Sequence, residues 1–298
     1  MAKRESISRL TLIANKIRSK QSTFKEIEEY LARESEVHEY NYQISKRTFQ
    51  RDLNDIRTIL NIDIRFSFSR KVYYIDHDGQ KEVNDKVLEA FNTFNALNVS
   101  ESVSQYIHFE KYKPHGTQHL IGLLHAIKHH FVITFSYNKY WEENALQRTV
   151  EPYALKEFKN RWYVVVRDIN DKQIKTYALD RLSKLHITKR KFIYPNNFNV
   201  DDFFKNAFGI ITPEHEEPQE IILSFAPLQG KYIKSLPLHH SQQVMVDNDK
   251  ELRVKINVCV TYDLEMEILS YGSAVKVLTP KFLITKIKGQ LKNALKQY

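Results

Sequence analysis

Arginines and tyrosines recur at strand spacing in Arg161-Trp162-Tyr163-Val164-Val165-Val166-Arg167, and a second run, Thr176-Tyr177-Ala178-Leu179-Asp180-Arg181-Leu182, follows a short loop later. Residues two apart on a strand share a face. Arg161, Tyr163, Val165 and Arg167 therefore have one parity and Trp162, Val164 and Val166 the other, while Lys175, Tyr177, Leu179 and Arg181 share a parity on the second run. This patterning predicts basic groups and tyrosines on a common side. Fixed cations beside flat rings can hold phosphates while bases stack, which is how a short single strand is gripped. Arginine suits the task because its planar fork pairs with phosphate and also stacks. Trp162 is expected in the core. Tyr163 is left open between core and ligand contact, and Asp180–Arg181 can equally be a structural ion pair.

A second constellation lies near the amino terminus. Phe49, Leu53, Ile56 and Leu60 fall on one helical sector, which leaves Arg47, Arg51 and Asn54 opposite, with Lys46 and Gln50 beside them. An Arg/Gln/Asn face suits the major groove, where Arg pairs with guanine edges, Gln and Asn pair with adenine, and Lys meets phosphate. Periodicity alone fits a solvated helix face as well. The following residues favour the groove reading: Ile62 to Phe66 and Val72 to Ile75 alternate as strands about a basic turn, Ser67 to Lys71.

The elements that would position these groups can be read in outline. Ile7, Leu10, Ile13 and Ile17 give a first helix, the capping box Thr23-Phe24-Lys25-Glu26 starts a second, and Ser45 caps a third. Residues 1–78 form a head by this reading, and residues 79–130 a linker and helical connector. Val87, Leu88, Phe91, Phe94 and Leu97 mark one connector helix, and Leu120, Leu123, Leu124 and Ile127 another. The stretch from Tyr106 to Gly116 has no period. From Phe131 the period becomes two, and strands are expected near 131–137, 148–150, 161–167, 175–180 and 185–189, within a sensing domain of residues 131–212. Pro213 to Pro218 reads as a boundary. Residues 213–298 alternate strands (220–225, 252–258) with helices (264–269, 282–295), which predicts a small α+β unit.

Length and charge fit a multidomain partner of polyanions. The chain has 298 residues and a formal net charge of +9, and residues 111–195 alone carry about +9 by count. Cys259 is the single cysteine, which matches a reducing compartment. The start lacks an apolar leader region and no stretch is apolar enough to span a membrane, so a cytoplasmic protein is expected. No phosphate-cradling glycine loop and no Gly-x-Ser-x-Gly occurs, and no catalytic constellation is visible. His125 and His129 stand at i, i+4 beside His130, without a Glu or Cys partner at helical reach. The expectation is no enzyme, no metal and no cofactor.

The run Arg161-Trp162-Tyr163-Val164 with Leu179-Asp180-Arg181-Leu182 resembles the core of a WYL domain, with Val164 and Leu182 standing where the family has Leu and Ile. Ser45-Lys46-Arg47-Thr48-Phe49-Gln50-Arg51-Asp52-Leu53, then Ile56-Arg57 and Val72-Tyr73-Tyr74-Ile75, is similar to the head of WYL-type transcriptional regulators. Arg70-Lys71 replaces that family's Gly-Gly. Ser270-Tyr271-Gly272 and Leu278-Thr279-Pro280 resemble landmarks of the carboxy-terminal (WCX-type) extension of such regulators. The resemblance implies a winged helix-turn-helix head, an Sm-like β-barrel and an extension tied to dimer contacts.

It implies that the segment from Ser45 is the recognition helix, so DNA binding is expected through Lys46, Arg47, Thr48, Gln50, Arg51 and Asn54. The added charges of Arg70 and Lys71, where the chain departs from the family, favour phosphate contact. The resemblance also implies a ligand site at Tyr137, which ends the first barrel strand, Arg148, which precedes Val150-Glu151-Pro152-Tyr153-Ala154-Leu155, Tyr163 and Arg181. Arg167 joins that set by strand parity. The expected protein is a homodimeric bacterial regulator that binds a duplex operator and senses a nucleic-acid fragment or nucleotide. The alternatives are an accessory nucleic-acid-binding protein that modulates a partner enzyme, for instance in phage defence, and a small-molecule-sensing regulator.

Overall fold

The computed structural model describes residues 2–38, 40–76, 81–98, 116–142, 144–213 and 216–298. The chain divides into two compact units, Met1–Lys111 and Tyr112–Tyr298.

In the first unit, helices α1 (Ala2–Ser19), α2 (Phe24–His38) and α3 (Lys46–Asp55) precede a hairpin of β1 (Asp63–Ser67) and β2 (Val72–Asp76), and α4 (Lys81–Asn98) follows. The capping box forms as its sequence requires. The Thr23 amide donates to the Glu26 carboxylate at 2.7 Å, and the Glu26 amide donates to the Thr23 hydroxyl at 3.2 Å. Ser45 caps α3 by accepting the Thr48 amide at 3.1 Å. The helix runs on as a wider π turn over Ile56–Leu60 and stops at Asn61, whose backbone is left-handed (φ 55°).

Leu10, Ile13, Ile17, Ile27, Leu31, Phe49, Ile56 and Leu60 form the core, with Leu53 packed at its edge. Beneath it, Arg9 grips Asp52 with two hydrogen bonds, of 2.7 and 2.9 Å. This pair locks α1 to the back of α3. Ser22 exchanges both backbone hydrogen bonds with Tyr73, so the entry to α2 is tied to the hairpin. Helix α4, read from sequence as part of a connector, packs on this unit. Leu88 is buried in its core, and the Asn92 side-chain oxygen accepts from Asn15 at 2.6 Å. The side chains of Phe94 and Leu97 and most of the aperiodic stretch from Tyr106 lie outside the described residues.

In the second unit, α5 (Leu120–His129) leads into strands β3 (Phe131–Tyr137), β4 (Leu146–Phe158), β5 (Arg161–Asp168), β6 (Ile174–Ala178) and β7 (Leu182–Lys191), paired in the order β6-β5-β4-β3-β7. All neighbouring pairs are antiparallel. Among the described residues no ladder joins β6 to β7, so the hydrogen-bonded sheet is open where the expected barrel would close. A single 3-10 turn, Leu179–Arg181, carries the chain between these two edges. Gly116 packs on that turn. Its φ is 109°, and a Cβ there would lie 2.5 Å from the Leu179 carbonyl carbon, so only glycine fits.

One sheet face packs on α5 through Ile133, Phe135, Val150, Val164 and Val166. Phe198 and the short helix α6 (Val200–Phe204) cover Val165 on the other face. Trp162 packs at the margin of the first cluster, consistent with its expected core role.

The last part of this unit has a sheet of order β11-β8-β10-β9, built from β8 (Gln219–Phe225), β9 (Gln243–Asp247), β10 (Leu252–Val258) and β11 (Val275–Thr279). Helices α8 (Tyr262–Ser270) and α9 (Lys281–Leu295) pack on it through Leu264, Ile268, Leu283 and Ile287. Helix α7 (Pro227–Ser235) and strand β9 were not anticipated from sequence. The two sheets are fastened together: Asp263 on α8 accepts the amides of Ile210 and Ile211 at 3.0 and 3.2 Å, and Lys159 pairs with Glu267 at 2.6 Å. Gly209 makes this approach feasible, because a Cβ there would stand 2.5 Å from the Asp263 carboxylate. Among the described residues, no helix is long and apolar enough to cross a membrane.

Candidate functional site

Two groups of predicted site residues can be followed upward from their strands and helices. On the sheet, register decides which side chains meet. Phe135 lies opposite Arg148, Tyr137 opposite Leu146, and Val164 opposite Tyr177. Phe135, Tyr137, Arg148 and Tyr177 therefore share one face with Val164 and Val166. Their rings form a compact cluster, with Tyr137–Tyr177 at 4.7 Å and Phe135–Tyr177 at 5.3 Å, both edge-on. Burial raises the pKa of both phenols, so they stay neutral. The Tyr137 hydroxyl accepts the Ala178 amide at 3.4 Å, which orients its ring against the start of the 3-10 turn.

That turn delivers Arg181. Its guanidinium carbon lies 5.1 Å from the Tyr137 ring centre and 5.0 Å from that of Tyr140, so the cation sits on two aromatic faces. Arg161 donates to Asp180 at 3.0 Å, and its hydrogen bond to Tyr140 raises its pKa. Further along the same face Asp168 is fully buried and takes Lys175 at 3.1 Å and Arg148 at 3.6 Å. Lys175 also pairs with Asp171. Four cations thus face three carboxylates. Among the described residues Arg181 makes no ion pair, so an incoming anion can meet it directly, whereas at Arg148 it exchanges with Asp168 across the 3.6 Å contact. The Nε atoms of Arg148 and Arg181 are buried and without a hydrogen-bond partner. Leaving such a donor unsatisfied costs on the order of 1–3 kcal/mol.

The parity expectation is corrected in one respect. Tyr163 lies opposite Ala178 and Arg167 opposite Ile174, so both point to the face away from Tyr177 and Arg148. The reason is the register between β5 and β6, which sets Tyr177 beside Val164 rather than beside Tyr163. Tyr163 is 7% exposed, and burial raises its pKa. Arg167 reaches Glu151 at 3.4 Å. The Tyr153 hydroxyl donates to the same carboxylate at 3.2 Å, and burial with that carboxylate pushes its pKa up to about 12. Of the five predicted ligand residues, Tyr137, Arg148 and Arg181 come together, and Tyr163 and Arg167 do not join them.

Sequence reasoning left Tyr177, Lys175, Asp168 and Tyr140 out of the site. Tyr177 and Lys175 shared the parity of Arg181 and could have been added on that ground. Tyr140 and Trp141, 73% and 76% exposed, sit in a loop where no periodicity marks them.

On the first unit, Lys46, Arg47, Gln50, Arg51 and Asn54 are exposed along α3, as are Arg70 and Lys71 at the hairpin turn. Among the described residues none of these five cations makes an ion pair. Thr48 differs from the rest: its amide and hydroxyl both engage Ser45, the residue that caps the helix. Gln50 and Tyr73 both line the hollow between α3 and the hairpin. Arg70 lies 5.9 Å from the Tyr74 ring centre.

The remaining candidates are plain. His125 and His129 approach to 4.6 Å between ring centres, and no group of three or more metal-ligating side chains occurs among the described residues. Cys259 is a free, buried thiol whose pKa is raised by burial.

Comparison with known proteins adds two family matches. Residues 118–187 match the WYL domain and residues 217–295 the WCX domain. No curated protein matches the chain. Among solved structures, the chain is similar to Proteasome accessory factor B/C (PafBC) of Arthrobacter aurescens, at 19% identity over 95% of this chain and 45% of that one, with a TM-score of 0.32. It is also similar to a CRISPR Cas-related protein, at 10% identity over 98% of this chain and 84% of that one, with a TM-score of 0.40. The chain thus spans less than half the length of the PafBC chain. The sheet that carries Tyr137, Arg148 and Arg181 is a WYL domain, and the sheet and helices that follow it are a WCX domain.

Proposed function

We propose that this chain is a ligand-responsive transcriptional regulator, with a winged helix-turn-helix head that reads duplex DNA and a WYL domain that senses a nucleic-acid strand or nucleotide. The observation that carries the sensing role is Arg181, free of any ion pair among the described residues and laid on the Tyr137 ring, beside the edge-on Tyr137–Tyr177 pair on the face that also holds Arg148. A phosphate oxygen can pair with the Arg181 guanidinium, and the exposed Tyr140, on which Arg181 lies, and Trp141 in the same loop offer stacking surfaces for bases. The head reading rests on the exposed Arg47, Gln50, Arg51 and Asn54 of α3 and on Arg70 and Lys71 of the hairpin. In this reading the protein is cytoplasmic, homodimeric and without catalytic activity, and its bent sheet is a variant of the Sm-like barrel.

The test is fluorescence anisotropy with labelled duplex from the gene's own upstream region and with short single-stranded oligonucleotide, both at fixed salt because phosphate contacts make affinity salt-dependent. The reading predicts that the upstream duplex is preferred over a scrambled one and that the oligonucleotide shifts the duplex curve. Arg148→Ala with Arg181→Ala abolishes that shift and leaves duplex binding alone. If oligonucleotide binds tightly and neither duplex is preferred, an accessory nucleic-acid-binding protein replaces the regulator.

A further inference from the structure

Phe68 stands in the turn of the β1–β2 hairpin, 87% exposed. A lone exposed aromatic is ordinary, but this one is the end of a continuous stack. Phe49, buried in the head core, meets Tyr73 at 4.9 Å, Tyr73 meets Phe66 at 4.8 Å, and Phe66 meets Phe68 at 5.2 Å, the last contact edge-on at 87°. Phe24 closes the other side of Phe49 at 5.2 Å. The tip is therefore braced by rings that reach back to the buried side of α3, and Ser22 holds Tyr73 in place through two backbone hydrogen bonds. Arg70 and Lys71 flank the tip and are exposed. A hollow of about 260 Å³ separates α3 from the hairpin, lined by rings of this stack and by Lys46, Gln50 and Lys71.

We propose that Phe68 is an intercalating wedge that bends bound DNA. The proposal rests on the reading of the head as a duplex-binding module. With α3 in the major groove, one phosphate strand crosses the hollow between Lys46 and Lys71, and the hairpin tip enters the adjoining minor groove. There an apolar ring inserted at a base step unstacks it and bends the duplex toward the major groove. The positive charge of Arg70 and Lys71 in the same turn matches the phosphates that converge at a minor groove, and the braced stack resists the reaction force of unstacking. Sequence preference then arises at a position that no polar side chain reads, because pyrimidine–purine steps such as TA open most easily.

The experiment uses the full chain and a short mixed-sequence duplex containing TA steps, with donor and acceptor dyes at its ends and 2-aminopurine beside one TA step. The wild-type protein raises 2-aminopurine fluorescence and shortens the end-to-end distance. Phe68→Ser removes both signals, lowers affinity by about tenfold or less and leaves the salt dependence unchanged. Phe68→Trp restores both signals. Lys71→Ala keeps the bend and reduces the log–log salt slope by about 0.9, the loss of one phosphate contact. Because Phe68 is solvent-exposed, none of its substitutions removes core packing. If Phe68→Ser binds and bends as wild type does, the wedge is wrong and the exposed ring is assigned to protein contact. If the wild-type chain binds no duplex at any salt, the head reading itself fails and the wedge falls with it.

Discussion

The two candidate nucleic-acid surfaces handle positive charge in opposite ways. On α3 and the hairpin the cations stand in solvent, unpaired among the described residues, with the fold's precision kept behind them in the buried Arg9–Asp52 pair and the ring stack. In the WYL domain Arg148, Arg161 and Lys175 are already engaged by Asp168, Asp171 and Asp180, and Arg181 is laid on the rings of Tyr137 and Tyr140. The first arrangement suits a ligand whose charge is dense and repeated, because counterion release supplies affinity without exchange of protein partners. The second suits a small ligand that pairs with Arg181 and replaces Asp168 at Arg148, so selectivity comes from fitting both. On the proposed function, the difference predicts that duplex binding is steeply salt-dependent and that ligand binding to the WYL face is much less so.

The sharpest way to break this contrast is to remove what holds the exposed face rigid. Asp52→Ala leaves Arg9 charged and unpaired in the head core and is expected to cost about 3–5 kcal/mol of head stability, seen as an early unfolding transition. On the WYL face, Arg148→Ala and Arg181→Ala are each expected to weaken oligonucleotide binding by about 10- to 100-fold, the range for a charge-assisted hydrogen bond, with duplex binding unchanged. On the head, Arg47→Ala with Arg51→Ala is expected to weaken duplex binding and lower the log–log salt slope by about 2, leaving the WYL ligand unaffected. Equal salt slopes for duplex and oligonucleotide would dissolve the distinction.

Ser45→Ala removes the α3 cap and is expected to cost about 1 kcal/mol, measured by denaturant unfolding. The smallest effect concerns Glu26, whose pKa is lowered to about 2, first by the Thr23 amide and then by the Thr23 hydroxyl. A carboxylate depressed in the folded state contributes stability above its unfolded pKa of about 4.3 and loses it as pH falls toward 2. Helical content of α2 should decline over that interval by circular dichroism, and Glu26→Gln should flatten the decline.

How much of this was legible in the sequence depended on the range of the interactions. The head's signals are local: the Thr23–Glu26 box, the Ser45 cap and the helical spacing of Phe49, Ile56 and Leu60 span a few residues each, and all appear as read. Arg9–Asp52 was not legible, because it joins residues far apart in sequence. In the WYL domain, parity along β5 was correct within the strand but does not fix which residue stands opposite on β6. A one-residue change of register exchanges the two faces, and that is why Tyr163 and Arg167 were grouped with Tyr177 and Lys175. A register shift between Pro152 and Ala154 on β4 adds a second break that alternation does not reveal. Tyr140 and Trp141 escaped because a loop has no period. Helix α7 and strand β9 are short and largely exposed, with Leu228, Tyr232 and Val244 facing outward, so neither carries the apolar stripe that marks buried elements.

The central claim, that one sheet face of the WYL domain and not the other holds a phosphate-bearing ligand, is tested most directly by anisotropy of a short labelled single strand. Four proteins are compared at one salt concentration: wild type, Arg181→Ala, Arg148→Ala and Arg167→Ala. The account predicts that binding is lost in the first two variants and kept in Arg167→Ala. Loss in Arg167→Ala with retention in Arg148→Ala and Arg181→Ala would contradict it and move the site to the opposite face.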